Sequence, residues 1–430
     1  MLPEYHLAIC GAGPAGISPL VYLEENKALD PLLEKGVFVI DKESRIGVGS
    51  LKNYLITANS LGGVFLEIFR NNSPLYNYMK KQPSFFDLKE YADSAPPLPL
   101  VGEFLSDIGK YIYGKIKDSK NSEVKLSTEL ETIRLRKDGK YEVTYRTMLP
   151  PGKKQTIVAK HILFNIGGDQ TSSPKFSLAN RKGIICNSGV FLQGKEDARI
   201  HNLIQNANKP INISIIGSSH SAFSCLYRLK NHFSLFNPDK SNIKIFHRSP
   251  IRLFYNSKAE AENDFYHVDA RTEVCKLSGR VNRYGGLRYD SFNLGKNVLK
   301  NEYENIKLFS ISDVNDCQEI IKSSDVLISC TGYTNRLVQI LDPNGDEVQF
   351  SIDNQTLLTD YYCNPVLQSG ETLENFYTYG LGSGMKTSKE NGGELNYRGR
   401  IDGVWVYQHE VSSRIAHLIE STVNKTLTEV

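Results

Sequence analysis

The stretch "HLAICGAGPAGIS", His6 to Ser18, sets Gly11, Gly13 and Gly16 at the spacing G-x-G-x-x-G directly after a short apolar run. Main chain of that kind can cradle a diphosphate. The first glycine allows a tight turn, the second lets backbone approach a pyrophosphate, and the third lets the following helix pack close to the strand. The helix N-terminus then faces the phosphates, so Ala12, Pro14 and Ala15 join the glycines as candidate contacts. A second apolar run, "GVFVIDKES", ends in Asp41 and Lys42. A carboxylate at a strand tip can accept hydrogen bonds from a ribose diol. Its distance from Gly16 is a little more than the usual separation of about 20 residues. "KALDPLLEK" reads as the extra loop that lengthens it.

The plan recurs from Asn212 in "NISIIGSSHSAFSCLYRLKNHF". Gly217 opens a turn through Ser218, Ser219, His220 and Ser221, with Ser219 and Ala222 where the second and third glycines would stand. Both are small, so close approach and close packing remain possible. The next strand, "IKIFHRSP", ends in His247, Arg248 and Ser249 with no acid at its tip. An acid there would repel a 2′-phosphate, whereas arginine and serine would hold one, which selects NADPH over NADH. The plainer reading of Arg248 is a solvated strand-end charge.

These residues need strands and helices to hold them. "YHLAIC" has the character of a buried parallel strand, and the helix after it places Ile17, Leu20, Val21 and Leu23 on one side, with Pro19 expected to kink it. The second helix places Phe223, Leu226, Tyr227 and Leu229 on its apolar side. "HILFNIGGD" and "DVLISCTGY" read as strands returning to each nucleotide fold and turning where the chain crosses between them, which makes Gly332 and Tyr333 candidate contacts. "ENFYTYGLGSG" reads as a late strand with a glycine turn, Gly380 and Gly382, facing the first dinucleotide. "GVWVYQHEVSSRIAHLIESTV" reads as an amphipathic helix closing that fold by core packing.

Taken together, GAGPAG with Asp41, the second turn with Arg248, the "CTGY" strand and the late glycine turn resemble the flavoproteins built from two dinucleotide-binding domains. The resemblance covers nearly the whole chain and is closest to the class B flavin-dependent monooxygenases of the N-hydroxylating type. "CTGY" is similar to their Ala-Thr-Gly-Tyr signature, with Cys330 in place of alanine. "YLITANSLGGVF" resembles the segment in which microsomal-type flavin monooxygenases carry an asparagine near the flavin ring, here Asn59; alternatively Asn59 makes a local turn. The resemblance implies an α/β protein with two Rossmann-like domains. FAD would sit on residues 1–180 and 336–430, and NADPH on an inserted domain of residues 181–335. It further implies oxygen transfer from a C4a-hydroperoxyflavin to a nitrogen or sulfur atom of a small metabolite, with molecular oxygen as co-substrate. Asn59 is then the candidate catalytic contact, and no general base is assigned. "CNSGVFLQGKEDARIH" does not fit the F-x-G-x-x-x-H fingerprint of Baeyer–Villiger enzymes, which argues against ketone oxygenation. Gly382 stands where the related reductases carry an aspartate, and the chain lacks a redox Cys pair. A flavoprotein reductase that never activates oxygen, and a flavin-binding protein without catalysis, are the alternative readings.

Composition narrows the class. The chain has 430 residues, 40% hydrophobic and 23% charged, with a net charge of +3, an ordinary globular balance that points neither to nucleic acid nor to a membrane. No apolar run approaches the roughly 20 residues needed to span a bilayer, and the start does not read as a signal peptide. Seven cysteines (Cys10, Cys186, Cys225, Cys275, Cys317, Cys330 and Cys363) include no Cys-x-x-Cys pair. That argues against a disulfide framework and against a zinc site, and makes a reducing cytoplasm the expected compartment. A homo-oligomer is left open. "PPLPL", Pro96 to Leu100, reads as a stiff loop before a helix. The segment 253–299, with Arg271, Arg280, Arg283 and Arg288 among glycines and tyrosines, has two readings. It is either a cap over NADPH or an anionic substrate group, or a surface excursion with solvated charge.

Overall fold

The computed structural model describes residues 1–148, 152–170, 183–312, 318–353, 356–381 and 383–425. Two sheets organise the chain. In the first, five parallel strands lie in the order Glu123–Lys125, Val37–Ile40, Glu4–Cys10, Gln155–Phe164, Phe376–Tyr377. In the second, the order is Ile306–Ser310, Ser241–His247, Ile211–Ile216, Val326–Ser329, Ile184–Asn187, again all parallel. Each sheet thus centres on the strand that leads into a glycine turn. Each reverses strand order there, where doubly wound sheets bind ligands. The first sheet extends through an antiparallel hairpin, Thr128–Leu135 and Tyr141–Thr147.

The central strand of the first sheet is buried on both faces, and its residues divide with period two. Leu7 and Ile9 join a helical layer with Ile17, Leu20, Phe104 and Ile108. Ala8 and Cys10 face the hairpin residues Ile133, Tyr141 and Val143. The helix Leu98–Asp118 buries Val101, Phe104, Leu105, Ile108, Ile112 and Ile116, a stripe at helical spacing. At roughly 1.5–3 kcal/mol for each fully buried side chain, that stripe anchors the helix firmly.

One local expectation is corrected, and two elements take a more specific form. "KALDPLLEK" is a helix over Leu29–Lys35, not a loop: Leu29, Leu32 and Leu33 bury one face against the core. Pro19 lies inside the first helix, which is continuous over Pro14–Glu25. Proline removes the N–H that would bond the Ala15 carbonyl, and the Tyr379 hydroxyl donates to that carbonyl instead, at 2.7 Å. The closing helix begins as a π-helical stretch, Val406–Val411, before the regular helix Ser412–Lys425. π-Helical segments of this kind are frequent at functional sites, and Tyr407 from this one reaches the cavity described below.

The sheets are joined by a short antiparallel ribbon, Gly168–Asp169 against Thr334–Asn335, with Arg336 ion-paired to Asp169. Among the described residues no helix is long and apolar enough to cross a membrane.

Candidate functional site

The two turns share one geometry. Gly11 donates from its N–H to the Ile40 carbonyl, and Asn165 donates to that of Cys10. In the second sheet Gly217 donates to Phe246, and Cys330 to Ile216. Gly11 has φ +90° and Gly217 φ +118°, values that L-residues rarely adopt. A Cβ on Gly11 would lie 2.3 Å from the Asn165 oxygen, and one on Gly217 would lie 2.4 Å from that of Cys330. The neighbouring strand therefore forces glycine at both positions.

The remaining glycines separate by cause. A Cβ on Gly16 would meet the Gly11 oxygen at 1.9 Å, so helix–turn packing requires it. A Cβ on Gly13 would come no closer than 3.7 Å to any protein atom. Nothing in the chain requires glycine there. The space it leaves opens on the cavity, where a phosphate would approach. No side chain caps the helix that begins at Pro14, and none caps the one that begins at His220. Both ends thus offer amides and positive dipole to an anion.

Between the turns lies a cavity of about 890 Å3. Gly11, Gly13, Pro14, Ala15, Asp41 and Lys42 line its first end, and His220 and Ser221 its second, with Asn59, Tyr333 and Gly380 also on its wall. Ala12, Gly16, Gly217, Ser218, Ser219, Arg248, Ser249 and Gly332 do not line it, and Gly382 lies outside the described residues. Ala12 instead donates its N–H to the Asp41 carboxylate at 2.5 Å, and Glu43 donates to the same carboxylate at 2.7 Å. Burial nevertheless pushes the Asp41 pKa up. Arg248 is exposed just beyond the strand Ser241–His247. The Ser218 hydroxyl donates to the Ser249 carbonyl at 3.4 Å, so that strand tip folds against the second turn.

Asn59 is exposed to the cavity on a segment pinned from both sides. Ala58 donates to the Pro96 carbonyl and Leu98 to that of Ile56, so the proline-rich loop holds the segment extended. On the other side Leu55 donates to Leu192, and the Tyr54 and Tyr333 hydroxyls lie 3.2 Å apart. Thr57 donates to Asp290 at 2.7 Å. Residues 54–59 therefore seam the first sheet to the second.

Several groups on the cavity wall had no signal in the sequence. Asn165, on the cavity wall, accepts from Tyr379 N–H through its side-chain oxygen, while its buried Nδ2 has no partner. Tyr54, Tyr379 and Tyr407 also line the wall. Only their nearness to glycine turns could have drawn attention to them. The unpartnered Asn165 amide, the open Gly13 and the uncapped helix ends suit a dinucleotide.

His220 donates from Nε2 to the Gly286 carbonyl at 2.9 Å, so Nε2 carries the proton. Burial, and then the nearby positive charge of Arg288, pull its pKa down to about 4. The unfolded chain takes up this proton below about pH 6.5, whereas the folded chain resists it to about 4. The contribution of a neutral His220 to stability is complete above pH 6.5 and is lost as pH falls toward 4. Urea midpoints taken between pH 7 and pH 4.5 should therefore fall more steeply for the wild type than for His220→Gln. Parallel slopes would contradict this assignment.

No protein-family model matches the chain. It is 30% identical over 433 residues to the CMP-5'-(3-aminopropyl)phosphonate hydroxylase of Streptomyces rubellomurinus, covering 96% of this chain and 97% of that protein. Its fold is similar to the FAD-bound cadaverine monooxygenase of Erwinia amylovora, with a TM-score of 0.60 at 14% identity over 98% of this chain and 95% of that one. It is similar also to the ornithine N-hydroxylase of Kutzneria sp. 744, with a TM-score of 0.56 at 14% identity over 98% of this chain and 100% of that one.

Proposed function

We propose a reaction from one premise: the chain belongs to the class B flavin-dependent monooxygenases of the N-hydroxylating type, which use FAD and NADPH. The finer reading is that it hydroxylates the nitrogen of a primary amine borne by a small anionic metabolite, a phosphonate linked to a cytidine nucleotide. The relative's name supports the substrate class. The observation that carries the site reading is the single cavity running from the first glycine turn to the second, with Asn59 on the wall between them.

In this reading residues 1–180 and 336–430 hold FAD. The Pro14 helix end receives its pyrophosphate, Asp41 its ribose, and Asn165 Nδ2 another of its polar atoms. Residues 181–335 hold NADPH, with Ser218, Arg248 and Ser249 at its 2′-phosphate. When bound, the cofactors supply the two electrons that split oxygen, one atom going to nitrogen and the other leaving as water. The chain itself binds, orients and keeps water out. Asn59 offers a side-chain amide to the reacting region and is held there by Pro96 and Leu98 through Ala58 and Ile56. Leu51, Ile56 and Val404 supply apolar wall.

The test is mass spectrometry of the enzyme incubated with NADPH, isotopically heavy oxygen and CMP-linked 3-aminopropylphosphonate. One heavy oxygen should appear on nitrogen for each NADPH consumed. NADPH oxidation that yields only peroxide, with this amine and with ornithine and cadaverine, would overturn the reading.

A further inference from the structure

We propose that Arg252 and Arg288 form a site on the cap segment for a phosphate-type oxyanion, carried either by the dinucleotide or by the substrate. The substrate source rests on the reading above; the site itself rests on how these two side chains are housed. Arg288 is half-buried, its guanidinium stacked 3.7 Å over the Phe254 ring. Among the described residues its guanidinium donates only to the Arg283 carbonyl. Arg252 is half-buried, with a buried Nε that has no partner. Arg252 and Phe254 flank the buried Leu253, so they share one face, and Leu253 bridges to Leu287, which precedes Arg288. Arg252, Phe254 and Arg288 therefore belong to one face of this bridge, with the Arg288 guanidinium over the ring. Burial pulls the Arg288 pKa down.

The same fold shows how it treats a structural arginine. Arg228 is 4% exposed and meets the Asp197 carboxylate through both terminal nitrogens, at 2.8 and 2.6 Å. Arg283, in the cap itself, pairs with Glu410 at 3.0 Å. Among the described residues neither Arg252 nor Arg288 has an ion pair. The fully buried Glu394 acts on Arg288 from beyond ion-pair distance, and its oxygens accept the Tyr284 and Gly285 N–H groups. Withdrawing a charge from water without a counter-ion is costly. Arginine's planar fork is suited to a phosphate or phosphonate.

Neither arginine lines the cavity, but the loop that carries Arg288 adjoins it at two points. His220, at the start of the helix after the second turn, bonds Gly286 of the same loop. Asp290, two residues past Arg288, holds Thr57, two residues before Asn59. The loop thus touches both the dinucleotide end of the cavity and its oxygenation wall.

The test is calorimetric titration of FAD-loaded wild type, Arg252→Met and Arg288→Met with NADP+ and, separately, with cytidine monophosphate. We expect at least about a 10-fold loss of affinity for one probe with each variant. Thermal midpoints of the ligand-free variants should stay level, since among the described residues neither guanidinium makes an ion pair. The probe whose affinity falls names the source. In wild type, inorganic phosphate should compete with that probe, a readout that needs no variant. Unchanged affinity for both probes would overturn the proposal. So would a lowered thermal midpoint with unchanged affinity, since that is what a purely structural role predicts. Neither readout involves oxygen, so failure here leaves the hydroxylation assay standing, and the reverse.

Discussion

Gly11→Ala is expected to purify colourless, with flavin absorbance reduced to the background of free protein. The new Cβ would sit 2.3 Å from the Asn165 oxygen, on a residue whose φ is +90°. The left-handed conformation alone costs alanine about 1–2 kcal/mol. The contact is with main chain on a buried strand that cannot swing away. Relief requires the turn to open, and opening it moves the uncapped helix end that would face the pyrophosphate. Gly13→Ala is the informative partner, because its Cβ would find no protein atom nearer than 3.7 Å. It should keep the wild-type thermal midpoint without flavin and still lose flavin affinity. Gly11→Ala should lose both. A yellow Gly11→Ala protein with one flavin per chain would remove the first turn from flavin binding.

Arg248→Glu is expected to raise the KM for NADPH about 100-fold while changing that for NADH only a few-fold. A charge-assisted contact to phosphate is worth roughly 1.5–3 kcal/mol, and reversal adds repulsion. Arg248 is exposed and projects from the strand tip that Ser218 ties to the second turn. Anaerobic flavin reduction followed with each nucleotide measures the effect before oxygen enters. Arg248→Ala should fall between wild type and Arg248→Glu. Equal losses with the two nucleotides would assign the 2′-phosphate to another group.

Much of this architecture could be read from residue order alone, and the structure gives the physical reason. The second turn is legible despite Ser219 and Ala222 because only Gly217 meets a steric limit, at the Cys330 carbonyl. The second position constrains only a ligand, so serine is tolerated there. What could not be read depends on contacts between distant residues. Nothing local announces that Tyr379 completes the carbonyl exposed by Pro19, more than three hundred residues earlier in the chain. The Leu29–Lys35 helix looked like a loop because its proline and its shortness hide a buried leucine face. Asn59 could be singled out by resemblance, but the brace from Pro96 and Leu98 that aims it is tertiary. The arginine-rich segment divides only in three dimensions, into Arg283 with an ion pair and Arg288 with none among the described residues.

The seam at residues 54–59 has a mechanical corollary. Any swivel of the second sheet about the Gly168–Asp169 ribbon must strain Leu55 against Leu192, Tyr54 against Tyr333 and Thr57 against Asp290. Those three tethers converge on the strip that ends in Asn59. On the proposed assignment of the two turns, a pivot at the nucleotide's seat would tug on the Asn59 amide, so that departure of spent nucleotide and resetting of the opposite wall become a single movement.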